Sequence, residues 1–304
     1  EILESSSIDY EINKLGRKLD EEELLSMIED VSVLIAGTEP ITKRVLEQAK
    51  NLKLISRIGI GLDNVDLHTA KKLGVKVSYT PDAPAPAVSE LTIGLMISLM
   101  RSIQIANLKM HQGNWNRFFG KRFSHLTIGI IGIGRIGKRV IRHLSGFDCR
   151  EILVNDLIEK NDTLFPGQLK WVDKETIYKK CDIISLHLPL NNKTNNMIGS
   201  EQIELMKNGV MLINTSRGGI INENDLYHGL NSGKVGSAAI DVFEEEPYKG
   251  ELSLLDNCLI TSHMGSMTED CRSRMEIEAT EEAARYITGK KLEYEVPIEE
   301  YFNT

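Results

Sequence analysis

Between Thr127 and Leu144 the apolar run TIGII passes directly into Gly132, Gly134 and Gly137, spaced GxGxxG. The residues that follow place Ile136, Val140, Ile141 and Leu144 at helical intervals. A buried strand that turns on glycines straight into an amphipathic helix is the opening of a parallel βαβ unit. All-α and all-β architectures are excluded by it. Each glycine has a separate physical reason: Gly132 permits a tight turn, Gly134 lets the backbone approach a pyrophosphate, and Gly137 lets helix and strand pack closely. The helix that starts there offers N–H groups and the positive end of its dipole, so phosphate is the expected guest. The next apolar run, Ile152 to Asn155, ends at Asp156, 156 − 137 = 19 positions beyond the last glycine. A carboxylate there accepts hydrogen bonds from the adenosine ribose and repels a 2′-phosphate, favouring NAD over NADP. A flavin or S-adenosylmethionine site could use the same motif.

Short apolar runs alternate with amphipathic stretches from end to end, the pattern of an α/β chain. Before the fingerprint, Val31–Ala36, Leu54–Ile58 and Val75–Tyr79 read as buried strands, with 42–50 and 65–73 as helical spacers. Pro81, Pro84 and Pro86 then interrupt regular structure. Beyond them Ser89 can cap a helix running through Leu91, Leu95, Leu99 and Ile103 towards Met110. From Thr127 onwards strands are expected near 127–132, 151–156, 182–187, 210–215, 236–242 and 258–262, a doubly wound parallel sheet. A last helix covers about 269–287, and the tail through Leu292 and Val296 is long enough to return to the first unit. The domain expectation is therefore 1–96 with 275–304, and 97–274.

Thirty-six basic against 44 acidic residues leave a net charge of −8. That balance argues against a nucleic-acid footprint and against attraction to an anionic membrane surface. Cys149, Cys181, Cys258 and Cys271 form no CxxC pair, so neither a zinc site nor a disulfide framework is indicated, and no metal is expected. The longest uncharged apolar stretch, Leu91–Met100, is far short of the roughly 20 residues of a membrane span. These features suit a reducing, cytoplasmic setting.

Ionisable residues stand at the carboxyl ends of the later strands, where an open α/β sheet forms its crevice. Arg217 follows the run 210–213, Glu246 follows 237–240, and His263 follows 258–261. Reduction of a keto acid by hydride needs a carboxylate anchor, a proton donor and a charge that keeps the donor protonated. Arg217, His263 and Glu246 fit these roles in that order, the glutamate favouring the charged form of the imidazole. His187, at the end of the run 182–186, competes for proton transfer but has no carboxylate following it nearby.

With these residues in view, the chain resembles the D-isomer-specific 2-hydroxyacid dehydrogenase family over nearly its whole length. The resemblance rests on RIGIGLDNVD at 57–66, the fingerprint at 129–137, SLHLPL at 185–190 with Thr194, MKNGVMLINTSRG at 206–218, DVFEEEP at 241–247 and HMGS at 263–266. It implies two Rossmann-like doubly wound domains, a discontinuous flavodoxin-like substrate domain and an NAD-binding domain. It also implies that Arg217, Glu246 and His263 are catalytic. NAD would be met by Arg135 and Ile136 at the pyrophosphate, by Leu188, Pro189 and Thr194 along the cofactor, by Thr215, Ser216 and Asp241 towards the nicotinamide, and by Gly265 and Ser266. Ile60 and Gly61 would offer N–H groups to the carboxylate of a small 2-oxo or 2-hydroxy acid. Family members are generally homodimers joined through the cofactor domain and the connecting helix; the apolar run Leu91–Met100 suits that burial and equally suits an internal core helix. The family also includes NAD(H)-gated corepressors that keep the catalytic residues, an alternative use of the same fold. Two departures stand out: the family's usual opening strand has no counterpart before Glu1, and Asp82–Ala87 (DAPAPA) replaces a loop commonly rich in glycine and asparagine.

Overall fold

The structure is a computed structural model describing residues 2–157 and 169–302. Its contacts divide the chain into two compact units, Glu1–Pro84 with Met267–Thr304, and Ala85–Ser266. The boundaries drawn from sequence, 96/97 and 274/275, lie inside two helices that these contacts keep whole. Helix Ala85–Met100 packs on the core of the second unit, and helix Glu269–Ile287 packs on the sheet of the first.

The first unit is a parallel three-stranded sheet of β1 (Val33–Ala36), β2 (Leu54–Arg57) and β3 (Lys76–Ser78), in that order. Helices α1 (Ile2–Ser5), α2 (Glu21–Met27), α3 (Lys43–Gln48) and α4 (Leu67–Lys72) accompany it. The longer three begin at side-chain caps, Asp20, Thr42 and Asp66, each accepting from the backbone N–H three residues on. Such caps satisfy donors that a helix start leaves open, at about 1 kcal/mol each. The C-terminal tail does return to this sheet: Val296 N donates to Val77 O at 2.8 Å and Tyr79 N to Tyr294 O at 3.1 Å. Buried Glu282 holds the tail from the other side, accepting from Glu293 N and Tyr294 N.

The second unit opens with α5 (Ala85–Met100) and α6 (Ile103–His111). The single helix read from Ser89 to Met110 is therefore two, bent by 65° at Arg101–Ser102, where Ser102 takes φ +50°. The start also lies earlier, at Ala85. Pro86 fits within a first turn, where no N–H is required, and Ser89 Oγ instead donates back to Pro86 O at 2.7 Å. Ten of the sixteen residues of α5 are buried, while Glu90 and Gly94 stay exposed along one side.

Seven parallel strands follow: β4 (Thr127–Ile131), β5 (Glu151–Asn155), β6 (Leu169–Trp171), β7 (Ile183–Leu186), β8 (Val210–Asn214), β9 (Val235–Ile240) and β10 (Cys258–Ile260). Their order is β10-β9-β8-β7-β4-β5-β6. Between them run α7 (Arg135–Leu144), α8 (Lys174–Lys180), α9 (Ser200–Leu205) and α10 (Glu223–Ser232). Alternate strand residues feed two apolar clusters. Ile128, Ile130, Ile152, Val154 and Ile213 face α5 and α7, while Ile131, Leu153, Ile184, Leu186 and Leu212 face α8 to α10. Burial on both faces explains why the strands read as unbroken apolar runs. Among the described strands, only β6 was not expected from sequence. Its three residues carry no apolar run and are recognisable only through their pairing with β5.

Candidate active site

The chain order of β4 to β10 reverses direction between β4 and β7, the topological switch point at which an open α/β sheet leaves a crevice outside its strand ends. The glycine turn stands there. Gly132 has φ +98°, and a Cβ on it would lie 2.2 Å from His187 O; a Cβ on Gly137 would lie 2.0 Å from Gly132 O. Both positions are closed to any side chain. Gly134 is the opposite case, since its Cβ would meet no protein atom within 4 Å. The space it leaves is open, at the N-cap of α7, whose first turn has no side-chain cap. Arg135 and Ile136 form that first turn. Asp156 directly follows β5 and is half-buried; its Oδ2 accepts from Ile133 N at 2.7 Å and its Oδ1 from Leu157 N at 2.6 Å. One carboxylate thus braces the turn while standing at the next strand end. An open backbone approach, an uncapped ten-residue helix and an acid on the neighbouring strand fit the pyrophosphate and adenosine ribose of NAD.

Beyond β7, Leu188 and Pro189 lead into a loop closed by Thr194, whose Oγ1 donates to Pro189 O at 2.7 Å and accepts from Asn191 N. His187 itself is only 8% exposed. Its Nε2 lies 2.9 Å from Ser185 Oγ, and burial pushes its pKa down to about 3. Burial thus favours its neutral form.

Loops after three adjacent strands carry the remaining candidates. After β8, Asn214 organises the turn: its Oδ1 accepts from Ser216 N and Oγ, and its Nδ2 donates to Arg217 O at 2.8 Å. Thr215 Oγ1 is 2.9 Å from Thr92 Oγ1, so the Thr215 and Ser216 side chains are both engaged inside the protein. Arg217 is half-buried and its Nη1 donates to Ser216 O at 2.6 Å. A Cβ on Gly218 would lie 2.0 Å from Phe243 O, so that glycine allows the Arg217 turn to lie against the loop after β9.

That loop ends in Glu246, after which Pro247 is joined by a cis peptide. The Glu246 carboxylate accepts from Phe243 N at 3.1 Å and meets His263 Nδ1 through both oxygens, at 2.8 and 3.1 Å. The two side chains remain 46% and 37% exposed for histidine and glutamate. His263 has φ +50°, a left-handed backbone unusual for histidine, and its loop is held from below by Asp241. Only 1% exposed, Asp241 accepts from Thr261 Oγ1 at 2.6 Å, Met264 N at 2.9 Å and Gly265 N at 2.9 Å, and its backbone O accepts from His263 N. Composition at 241–247 gave no sign of this bracing role, because it depends on which backbone N–H groups the β10 loop turns inward. Ser266 follows this loop, half-buried.

A model of the D-isomer specific 2-hydroxyacid dehydrogenase NAD-binding domain matches residues 93–265, more than half of the chain. The chain belongs to that family. This dehydrogenase is 40% identical over 278 residues to hydroxypyruvate reductase of Thermotoga maritima, covering 89% of this chain and 90% of that one. It is 39% identical over 280 residues to D-3-phosphoglycerate dehydrogenase of Methanocaldococcus jannaschii, covering 90% of this chain but 53% of that longer protein. D-lactate dehydrogenase of Aquifex aeolicus, solved with NAD and lactic acid, superposes with a TM-score of 0.83 at 27% identity, over 89% of this chain and 87% of that one. The dehydrogenase is an NAD-dependent oxidoreductase of two-domain Rossmann-like architecture. Among its described residues no cluster of three or more His, Cys, Asp or Glu side chains is placed to hold a metal ion.

In the first unit, Ile60 and Gly61 lie on the turn after β2. Gly59, at φ +133°, donates its N–H to Thr80 Oγ1 at 2.8 Å, which ties this turn to the end of β3.

Proposed function

We propose that the protein interconverts a small 2-oxo acid and its D-2-hydroxy acid, with Arg217 anchoring the substrate, His263 exchanging the proton and Glu246 orienting His263. Bound NAD(H) supplies or accepts the hydride at C2. The single observation carrying this reading is the imidazole–carboxylate pair of His263 and Glu246. A carboxylate only accepts, so the bonded Nδ1 carries a hydrogen and Nε2 is the nitrogen that gives its proton to the developing alkoxide. Arg217 presents a planar fork suited to a carboxylate and a carbonyl oxygen. On the first unit, the turn carrying Ile60 and Gly61 offers backbone N–H groups of the kind that bind a carboxylate. The hydroxypyruvate reductase likeness supports a small substrate.

Loss of NADH absorbance with glyoxylate and hydroxypyruvate tests the reading. His263→Ala should lower turnover by about 10²- to 10⁴-fold. Parent turnover no higher than that of His263→Ala on every 2-oxo acid would overturn it. Glu246→Gln removes the carboxylate that holds His263 Nδ1 and should lower turnover of the same substrates.

The same reading includes a homodimer. Ile103, Leu108, Met110, Trp115 and Phe119 are large apolar residues left exposed within one stretch of the second unit, and a second copy of the chain would cover them. Sedimentation showing only monomer at micromolar concentration would remove this part of the proposal.

A further inference from the structure

The loop that delivers Glu246 is packed at its two ends and bare between them. Phe243 is buried and Tyr248 half-buried, while Glu244, Glu245, Glu246 and Pro247 are all exposed. Three successive carboxylates repel one another, and a tip with so little packing has few contacts of its own to fix it. Yet Glu246 Oε2 stands 2.8 Å from His263 Nδ1, a hydrogen bond that a displacement of about 1 Å would lose.

The two end residues close the loop on itself. The Phe243 and Tyr248 rings stack with centroids 4.0 Å apart and planes 18° apart, and both rest on the apolar cluster that faces α8 to α10. Tyr248 is anchored beyond the stack. Its Oη accepts from Leu252 N at 3.2 Å, and Gly250 lies against the ring so closely that a Cβ there would be 2.3 Å from Oη. The Phe243 backbone is held in turn: its N–H donates to Glu246 Oε1 at 3.1 Å, and its carbonyl lies against Gly218, where a Cβ would be 2.0 Å away. Glu244 N donates to Glu223 Oε1 at 2.8 Å, tying the start of the tip to the first turn of α10. The stack thus fixes a backbone donor that orients the Glu246 carboxylate. Filling the apolar cluster would need only an apolar side chain at 248; closing the loop needs a flat ring against Phe243.

We infer that Tyr248 is a positioning residue: by stacking on Phe243 it holds the Glu246 carboxylate where it meets His263. It acts through Phe243 and Glu246 and not on the substrate. This rests on the reading of His263 and Glu246 as the proton-exchanging pair.

The experiment measures kcat and KM for NADH-dependent reduction of glyoxylate and hydroxypyruvate in the parent, Tyr248→Leu, Tyr248→Phe, Glu246→Gln and the double variant Tyr248→Leu/Glu246→Gln, with NADH affinity from fluorescence titration. Tyr248→Leu keeps apolar bulk and removes the stack; kcat should fall about 10- to 100-fold while NADH affinity stays within about twofold of the parent. Tyr248→Phe keeps the stack and should recover most of that loss. On the Glu246→Gln background the leucine should lower kcat by less than about twofold, because the carboxylate it would misplace is already gone. An unchanged kcat in Tyr248→Leu, an equal fall on both backgrounds, a phenylalanine variant as slow as the leucine one, or a loss of NADH affinity matching the loss of kcat overturns the inference and leaves the reductase reading standing. A parent that reduces neither 2-oxo acid overturns that reading and this inference with it.

Discussion

Gly134 and Gly137 stand three residues apart in one motif, yet alanine at each should do opposite things. At Gly134 the backbone has φ −80°, open to any L-residue, and a methyl group would touch nothing within 4 Å. Folded-state strain is therefore absent, and the unfolded chain loses freedom. Gly134→Ala should unfold at the same denaturant concentration as the parent or gain about 0.4–1 kcal/mol. The methyl group nevertheless fills the space through which the backbone approaches a pyrophosphate. NADH affinity should fall at least about tenfold, equivalent to about 1.4 kcal/mol. At Gly137 the added carbon would lie 2.0 Å from Gly132 O. An ordinary C···O contact is about 3.3 Å, so α7 must move off β4 by more than about 1 Å. Overpacking of that kind costs about 1–3 kcal/mol or more, and cofactor affinity falls with the displaced turn. Denaturant unfolding followed by circular dichroism, together with fluorescence titration of NADH, separates the two variants. Gly134→Ala binding NADH like the parent, or proving as unstable as Gly137→Ala, would refute the assignment of an open approach to one glycine and a packing contact to the other.

Asp156→Asn keeps an acceptor for Ile133 N while removing the charge that opposes a 2′-phosphate; KM for NADPH should fall relative to NADH, and an unchanged preference would count against Asp156 as the ribose ligand. His187 has a native pKa of about 3 against an ordinary 6.5, so between those values the unfolded chain binds one more proton than the folded one. Stability should be full above about pH 6.5 and decline as pH falls towards 3, by up to about 1.4 kcal/mol per pH unit from this residue, and His187→Gln should flatten that slope in urea midpoints measured across the range.

The cofactor half of the site was legible in the sequence because its requirements are local. Close backbone approach admits only glycine, and a strand buried on both faces must be apolar throughout, so GxGxxG, the run 127–131 and Asp156 carry their own explanation. The residues proposed for catalysis were legible less directly. Arg217, Glu246 and His263 could be found from their places after successive apolar runs, since β8, β9 and β10 are neighbours in the sheet. Sequence spacing gave no measure of the Nδ1–carboxylate bond between residues 17 positions apart.

Other features depended on partners far along the chain. The three residues of β6 become a strand only because β5 presents free edge groups to them. The break between α5 and α6 arises at Ser102, a residue with no breaker signature, and Asp241 became a brace only once the β10 loop turned three donors towards it. Backbone sterics and strand burial act over a few residues and so leave their mark in local composition. Pairing, bracing and the meeting of an imidazole with its carboxylate depend on the folded path of the chain, which brings donors and acceptors together at a range that local spacing does not encode.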